Sequence, residues 1–235
     1  MKVPATNTLE IRDVRGGSPE GDAVHGLTMS LTPGCFHLLR GAEGGGKAAL
    51  LRLLGLLERP EAGEIIVQGL PTSALSDEAR AELRTQRFGF VFAAPFLLSS
   101  FTVIENVAMP LFKISQVTPD EARRRTEAML NFVGLAESAE WPVDELPLLA
   151  QYQVAVARGL INEASFLLVE NLDGALAGDE LAAFSELLHR VTESYGTTVV
   201  ATASPAVALR GRLRVLDVAD GLITSDADLF PENLS

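Results

Sequence analysis

One short segment constrains the fold of this chain more than any other: the glycine-rich run from Gly41 to Lys47 (GAEGGGK). It follows an apolar run and precedes a leucine-rich stretch with helical spacing. A glycine-rich loop between a strand and a helix turns its backbone N–H groups toward the helix N-terminus, where they can bind a phosphate. The alternative is an ordinary tight strand-to-helix turn. The candidate nucleotide-binding residues are Gly41, Glu43, Gly44, Gly45, Gly46, Lys47, Ala48 and Ala49.

Apolar runs around this loop alternate between strand and helix patterns. Short runs with β-branched or alternating apolar residues predict strands, whereas leucines at helical spacing and capping residues predict helices. The predicted strands are Leu9–Val14, Val24–Leu31, Cys35–Leu39, Glu64–Val67, Phe88–Phe92, Phe166–Val169 and Thr197–Thr202, with a terminal hairpin of Leu213–Val218 and Leu222–Thr224. The predicted helices are Ala48–Leu57, one that Ser76 caps and that runs to Gln86, one that a Thr118/Glu121 capping box opens and Gly134 ends, and Asp179–Tyr195. This alternation predicts an α/β fold with a parallel core sheet.

Composition excludes several function classes. The 235 residues include 31 acidic and 19 basic side chains, a formal net charge of −12, which argues against nucleic acid as a partner. No apolar run approaches the roughly 20 residues that cross a bilayer, and residues 1–10 lack the pattern of a secretory leader. The single cysteine, Cys35, is expected to pack as a small hydrophobe in a reducing compartment.

Together with the glycine-rich loop, five further segments give the sequence a specific resemblance. They are Leu54–Glu64, Phe88–Phe92, Thr102–Leu111, Val154–Leu160 and Leu213–Asp217. The sequence resembles the ATP-binding-cassette (ABC) transporter ATPases, most closely the branch that drives lipoprotein release and macrolide export. The resemblance implies one nucleotide-binding domain over 1–235, of the P-loop NTPase type, with an N-terminal antiparallel β subdomain. It places the core at about 1–94 and 162–235 and a helical subdomain at about 95–161. It also implies a dimer that sandwiches two ATP molecules and binds an integral membrane permease.

Most positions that carry chemistry in this family have residues that cannot supply it. Ala48 replaces the Ser or Thr whose hydroxyl binds Mg²⁺, Ala93 replaces a glutamine, and Ala203 replaces the histidine that contacts the γ-phosphate. Glu170 stands at the metal-side aspartate and is a weak candidate metal ligand. Asn171 replaces the glutamate that activates water, and an amide cannot accept a proton at neutral pH. The resemblance thus predicts that Mg²⁺ is not tightly bound.

The signature segment and the nucleotide-base contact also depart from the family pattern. Where the family has Leu-Ser-Gly-Gly-Gln, this chain has Leu146, Pro147, Leu148, Leu149 and Ala150. The segment 15–20 contains no aromatic ring to stack on adenine. Glu43 adds a carboxylate inside the loop, where a like-charge contact near 4 Å would cost roughly 1–4 kcal/mol. ATP is therefore expected to bind weakly or not at all.

An apolar segment after Phe88–Phe92 is the candidate permease contact, because the family places this region against the permease. It comprises Phe96, Leu97, Leu98 and Phe101. The alternative is packing within the domain's own core. Trp141, beside Pro142, is expected to fill the interior of the helical subdomain.

These observations predict a catalytically degenerate ABC ATP-binding subunit, not an active enzyme. It would act as a scaffold or regulator on a lipoprotein-release-type permease, as a homodimer or beside a second ABC ATPase subunit. The expected location is cytoplasmic, on the inner face of the cytoplasmic membrane. Two alternatives stay open: an active ATPase in which Glu170 carries both the metal and general-base roles, and a stand-alone nucleotide sensor that does not hydrolyse ATP.

Overall fold

The computed structural model describes residues 8–17, 22–113 and 117–229. The strands are β1 (Leu9–Gly17), β2 (Ala23–Leu31), β3 (Phe36–Arg40), β4 (Ala62–Val67), β5 (Leu70–Pro71), β6 (Phe88–Val91), β7 (Phe166–Val169), β8 (Thr198–Ala203), β9 (Leu213–Ala219) and β10 (Leu222–Leu229). The helices are α1 (Lys47–Leu54), α2 (Asp77–Arg87), α3 (Val103–Ala108), α4 (Pro119–Val133), α5 (Leu148–Leu160) and α6 (Gly178–Tyr195). Part of the ring-free segment 15–20 and most of residues 1–10 lie outside the described residues.

A six-stranded sheet forms the centre of the domain, in the order β10-β9-β3-β8-β7-β6. Its strands from β9 to β6 run parallel, and β10 pairs antiparallel with β9. Every residue of β7 and β8 is buried, as expected for parallel strands covered on both faces. Because the strands are parallel, their carboxyl ends meet at one edge of the sheet.

A second sheet is antiparallel and four-stranded, in the order β2-β1-β4-β5. It packs its apolar face against α1, whose leucines Leu50, Leu53 and Leu54 are completely buried. The predicted strand Cys35–Leu39, which follows the first two in sequence, belongs to the parallel sheet instead. The two sheets and the helices between β6 and β7 agree with the predicted α/β fold class.

Helix α5 lies unusually close to β6, and glycines make the approach possible. A Cβ atom at Gly89 would lie 2.3 Å from the carbonyl oxygen of Gly159. No side chain fits in that space. Helices α3, α4 and α5 pack on one another through a core that includes Val103, Leu130 and Val154.

Helix ends follow the sequence signals with one correction. The Ser76 hydroxyl accepts a hydrogen bond from the Ala79 N–H, and Gly134 and Gly196 end α4 and α6 in the left-handed conformation. At Thr118 only half of the expected capping box is present. The Thr118 hydroxyl accepts from the Glu121 N–H (3.3 Å), but the Glu121 carboxylate pairs with arginines one turn later in α4.

Trp141 does not fill the helical region as the sequence suggested. Its side chain is 54% exposed, although its carbonyl oxygen accepts a hydrogen bond from the Val103 N–H. The apolar interior there is filled by the packed helices instead. Across the described ranges, none of the helices combines the length and the apolar character needed to span a lipid bilayer.

Candidate functional site

The carboxyl edge of the parallel sheet brings most of the predicted site residues together. The glycine-rich loop begins where β3 ends, and the Gly41 N–H donates to the carbonyl oxygen of Ala203 at the end of β8 (3.2 Å). Strand β7 pairs with β8, and β6 pairs with β7, so the parallel strands place Ala93, Glu170 and Asn171 at the same edge. The carboxyl edge of the sheet therefore carries the loop and the positions where family residues are replaced, apart from the signature segment.

The loop has the geometry of a helix N-terminus prepared for an anion. Gly46 precedes α1 with φ of 99°, a left-handed conformation that glycine adopts without strain. The Lys47 ammonium donates to the Ala42 carbonyl oxygen (2.8 Å), and the Gly221 N–H donates to the Gly45 oxygen (3.0 Å). The Glu43 side chain is exposed to solvent.

A carboxylate that the sequence did not indicate occupies this N-terminus. Asp22 immediately precedes β2, and its two oxygens accept hydrogen bonds from the Gly46 N–H (2.9 Å) and the Ala49 N–H (2.7 Å). The Arg52 guanidinium lies 3.4 Å from the same carboxylate and also donates to Glu58 (2.6 Å). No local pattern identifies Asp22, because its partners lie more than twenty residues away in the sequence.

Glu170 and Asn171 follow β7, and each makes a hydrogen bond to a neighbouring segment of the sheet edge. A Glu170 carboxylate oxygen accepts a hydrogen bond from the Ala93 N–H (3.3 Å). Asn171 has φ of 53°, which asparagine tolerates, and its N–H donates to the Thr202 hydroxyl (2.8 Å). The carboxylate of the candidate metal ligand and the backbone at the general-base position are thus both held by neighbouring segments.

Ala203 ends β8 beside Asp173, a second acidic residue that the sequence did not indicate. The methyl group of Ala203 is completely buried, so the end of β8 offers no polar side chain at that position. The carboxylate of Asp173 accepts from both the N–H and the hydroxyl of Ser204. Asp173 therefore holds the turn after β7 against the turn after β8.

The residues at this site supply few of the oxygen ligands that Mg²⁺ needs, and two of the loop amides are engaged within the chain. Magnesium requires near-octahedral oxygen ligands, and neither Ala48 nor Ala93 supplies a side-chain oxygen. Glu170 supplies one carboxylate, which the Ala93 N–H already engages. Two of the amides that would face a phosphate donate to Asp22 instead.

The signature segment forms the start of α5 and carries no polar side chain. Pro147 is the N-cap and no side chain caps the helix. Leu146 is buried, whereas Leu148, in the first turn, is 39% exposed. An exposed leucine and a proline stand where the resemblance expects a serine and glycine amides, so this helix end presents an apolar surface.

The loop of residues 92–102, here called the coupling loop, joins β6 to α3 and carries the predicted permease contacts. Arg158 of α5 donates to the carbonyl oxygens of Pro95 (2.9 Å) and Phe96 (2.8 Å). Burial lowers the pKa of Arg158 below its ordinary value. The Tyr152 hydroxyl donates to the Ala93 oxygen. The backbone of the loop is therefore held by side chains of α5.

The four candidate permease contacts divide into three exposed side chains and one packed one. Phe96 is 69% exposed, and Leu98 and Phe101 are also exposed. Leu97 packs against the core beneath. Phe101 borders an apolar cavity of about 520 Å³ that is also lined by Ile104, Met109 and Phe112.

Comparison with known proteins identifies the family of this domain. A family model described as ABC transporter matches residues 24–173. The macrolide export ATP-binding/permease protein MacB of Rhodopseudomonas palustris (strain HaA2) is 32% identical over 233 residues, which cover 97% of this chain and 35% of that protein. The chain thus spans about a third of the length of this curated relative.

Solved structures show the same fold at lower identity. The ATP-binding cassette MJ0796, as a dimer in a post-hydrolysis state bound to ADP and Pi, has a TM-score of 0.77 at 24% identity, covering 94% of this chain and 98% of that one. CbiO1 of Clostridium perfringens, part of the ABC transporter complex cbiONQ, has a TM-score of 0.81 at 20% identity, covering 96% and 89%. These likenesses confirm the predicted fold class.

Proposed function

Because this chain belongs to the ABC transporter family, as an ATP-binding domain, we propose that it is a catalytically degenerate subunit that supports a membrane permease without hydrolysing ATP. One observation carries the proposal: the carboxyl edge of the sheet presents Ala48, Ala93, Asn171 and Ala203 where the family's chemistry needs oxygen ligands, a base and a histidine. The sheet and helices around these positions have the fold of solved ABC cassettes. The subunit would serve as a scaffold or regulator, as a homodimer or beside a second ABC ATPase.

Loss of the general base alone is a large effect. General-base assistance typically contributes about 10²- to 10⁴-fold to a rate, and an amide at position 171 supplies none. Glu170 is the one carboxylate that follows β7 directly, and its engagement with the Ala93 N–H leaves it poorly placed to take over. This contact favours the degenerate subunit over the active ATPase that the sequence left open.

Both composite sites of a dimer would be affected. One site needs the metal-binding and base groups of this chain, and the other needs its signature segment at the start of α5. Pro147 and the exposed Leu148 replace the polar groups there. A partner subunit with complete motifs would therefore still lack half of its own composite site when paired with this chain.

The first prediction concerns ATP turnover. We expect the purified chain to hydrolyse ATP no faster than its Lys47→Ala variant, because no group in the site binds Mg²⁺ tightly or activates water. Asn171→Glu is expected to leave the rate at the same background, since the alanines at 48, 93 and 203 remain. A coupled phosphate-release assay measures all three proteins. Turnover of about 1–10³ s⁻¹, typical of enzymes, that Lys47→Ala abolishes would contradict the proposal.

The second prediction concerns the permease. Phe101 borders the apolar cavity and Leu98 is exposed on the same loop. Contiguous exposed apolar surface marks interaction sites. We expect an integral membrane permease to co-purify with the tagged wild-type chain in mild detergent. Replacing Leu98 or Phe101 by Glu should reduce its recovery at least about tenfold, since burial of an unpaired carboxylate costs several kcal/mol.

The matched control is Leu222→Glu, which adds the same charge at an exposed leucine on β10. It should leave recovery unchanged. Equal recovery with all three variants would exclude the coupling loop as the contact. Absence of any membrane protein with the wild-type chain would favour the stand-alone nucleotide sensor instead.

A further inference from the structure

The Asp22 carboxylate makes the contacts that an anion makes at a glycine-rich loop. Both of its oxygens are used: one accepts from the Gly46 N–H (2.9 Å) and the other from the Ala49 N–H (2.7 Å). These are two of the amides that converge on the N-terminus of α1. Carboxylates and phosphates are stabilised at this place for the same reason, the unpaired N–H groups and the positive end of the helix dipole.

The backbone around Asp22 fixes the carboxylate over the loop. Ala23, the next residue, lies so close that a Cβ atom at Gly46 would be 2.5 Å from its carbonyl oxygen. On the other side, a Cβ at Gly17 would be 2.4 Å from the Asp22 carbonyl oxygen. Two glycines therefore allow the start of β2 to rest on the loop, and the Asp22 side chain follows from that position.

A cationic side chain also lies beside the Asp22 carboxylate. The Arg52 guanidinium, one turn into α1, lies 3.4 Å from Asp22 and donates to Glu58 at 2.6 Å. The Lys47 ammonium meanwhile donates to the Ala42 carbonyl oxygen within the loop (2.8 Å). Two amides of the loop and helix start, together with the Lys47 and Arg52 cations, are thus engaged by groups of this chain.

We infer that Asp22 is an internal substitute for phosphate that closes the glycine-rich loop to nucleotide. The competition is unequal, because an intramolecular carboxylate acts at a high effective concentration and a phosphate must displace a like charge to enter. Charge-assisted hydrogen bonds to two amides are among the stronger ones in proteins, so displacement is costly. The inference rests on the proposed function, in which this loop is the nucleotide site.

The test is nucleotide binding by variants at position 22. Calorimetric titration with ATP and, separately, with inorganic pyrophosphate is carried out on the wild-type chain, Asp22→Asn and Asp22→Ala. Both variants are expected to bind each probe at least about tenfold more tightly than the wild type, since each removes one negative charge. Asp22→Ala also frees both amides, whereas Asp22→Asn removes one of the two acceptor oxygens. Adding Lys47→Ala to Asp22→Ala should reverse the gain.

Asp13→Asn is the matched control, because Asp13 lies on β1 with an exposed carboxylate and its replacement removes the same charge. It should leave both affinities unchanged. Equal or weaker binding by both Asp22 variants would overturn the inference. If Asp22→Ala is poorly folded, Asp22→Asn retains the shape, and thermal unfolding with pyrophosphate then reports binding as a rise in the midpoint that the wild type lacks.

The same proteins separate this inference from the proposed function. If Asp22→Ala binds ATP tightly and does not hydrolyse it, both stand. If it binds and also turns ATP over at an enzymatic rate, the catalytic degeneracy fails while the role of Asp22 stands. If it does not bind more tightly and the wild type shows no turnover, the role of Asp22 fails and the degenerate subunit remains.

Discussion

Replacing Asn106 by Ala should lower the free energy of unfolding by roughly 2–3 kcal/mol, a large loss for a single polar side chain. Asn106 lies in α3 and is completely buried. Its amide oxygen accepts from the Leu98 N–H (2.8 Å), and its NH₂ donates to the carbonyl oxygens of Leu98 (3.1 Å) and Thr102 (3.0 Å). Truncation leaves the Leu98 N–H without this partner, which costs about 1–3 kcal/mol. It also removes one of two hydrogen bonds to each carbonyl oxygen, since these oxygens accept from the backbone N–H groups of Phe101 and Asn106 as well.

Urea unfolding followed by circular dichroism measures this loss. Asn106→Asp is expected to be nearly as destabilising, because it places a carboxylate at a completely buried position and removes the NH₂ donor. The control is Asn131→Ala on the exposed side of α4, whose amide makes one hydrogen bond within its helix. That variant should change stability by less than about 0.5 kcal/mol. Similar stabilities for Asn106→Ala and Asn131→Ala would show that the coupling loop is held in another way.

The second large effect is a loss of stability in acid that depends on His37. This residue of β3 is completely buried, and the burial lowers its pKa from 6.5 to about 4 against the weaker opposing effect of its bond to the Thr32 carbonyl oxygen. The unfolded chain binds a proton below pH 6.5 that the folded chain does not accept until about pH 4. Stability therefore falls as the pH is lowered through this window. At pH 4.5 the contribution is about 2.5 kcal/mol.

The measurement compares unfolding free energies at pH 7 and pH 4.5 for the wild type and His37→Gln, a neutral residue of similar reach. The wild type should lose about 2.5 kcal/mol more than the variant over this range. The carboxylates contribute equally to both proteins and cancel. His25→Gln is the control, because His25 is exposed on β2. Parallel pH profiles for the wild type and His37→Gln would rule out His37 as the source.

Helices and strands could be predicted from the sequence where the apolar periodicity agrees with the placement of glycine and capping residues. The buried runs of β7 and β8 and the left-handed glycines that end α4 and α6 follow directly from apolar periodicity and glycine placement. The sheet to which each strand belongs was harder to predict. The strand Phe36–Arg40 follows the first two strands closely in sequence, but its four buried residues place it in the parallel sheet.

Two identical local patterns show where sequence reasoning stops. Thr102 and Glu105 form a complete capping box at α3, whereas Thr118 and Glu121 form only half of one at α4. The difference comes from the arginines that follow Glu121 one turn later, which bind its carboxylate. The pattern is the same in both, and the competing ion pairs decide the outcome.

The candidate site was predictable in its composition and not in its internal contacts. The alanines and the asparagine at the sheet edge are visible in the sequence, and parallel strand order explains why they meet. Asp22 and Asp173 gave no signal, because each acts on a backbone that only the fold brings near: Gly46 for one and Ser204 for the other. Long-range bonds of a side chain to backbone have no sequence spacing to recognise.

The way α5 and β7 hold the coupling loop has a mechanical consequence. Tyr152 and Arg158 donate to its carbonyl oxygens and Glu170 accepts from the Ala93 N–H, so side chains of this domain hold the segment by hydrogen bonds. A nucleotide moves such a segment only if it binds one position of the segment more tightly than another. Because the alanine at position 93 has no side chain that could reach a nucleotide, we expect the loop to keep this conformation while a partner ATPase hydrolyses ATP. A permease bound to this loop would then stay attached to the subunit without being moved by ATP hydrolysis.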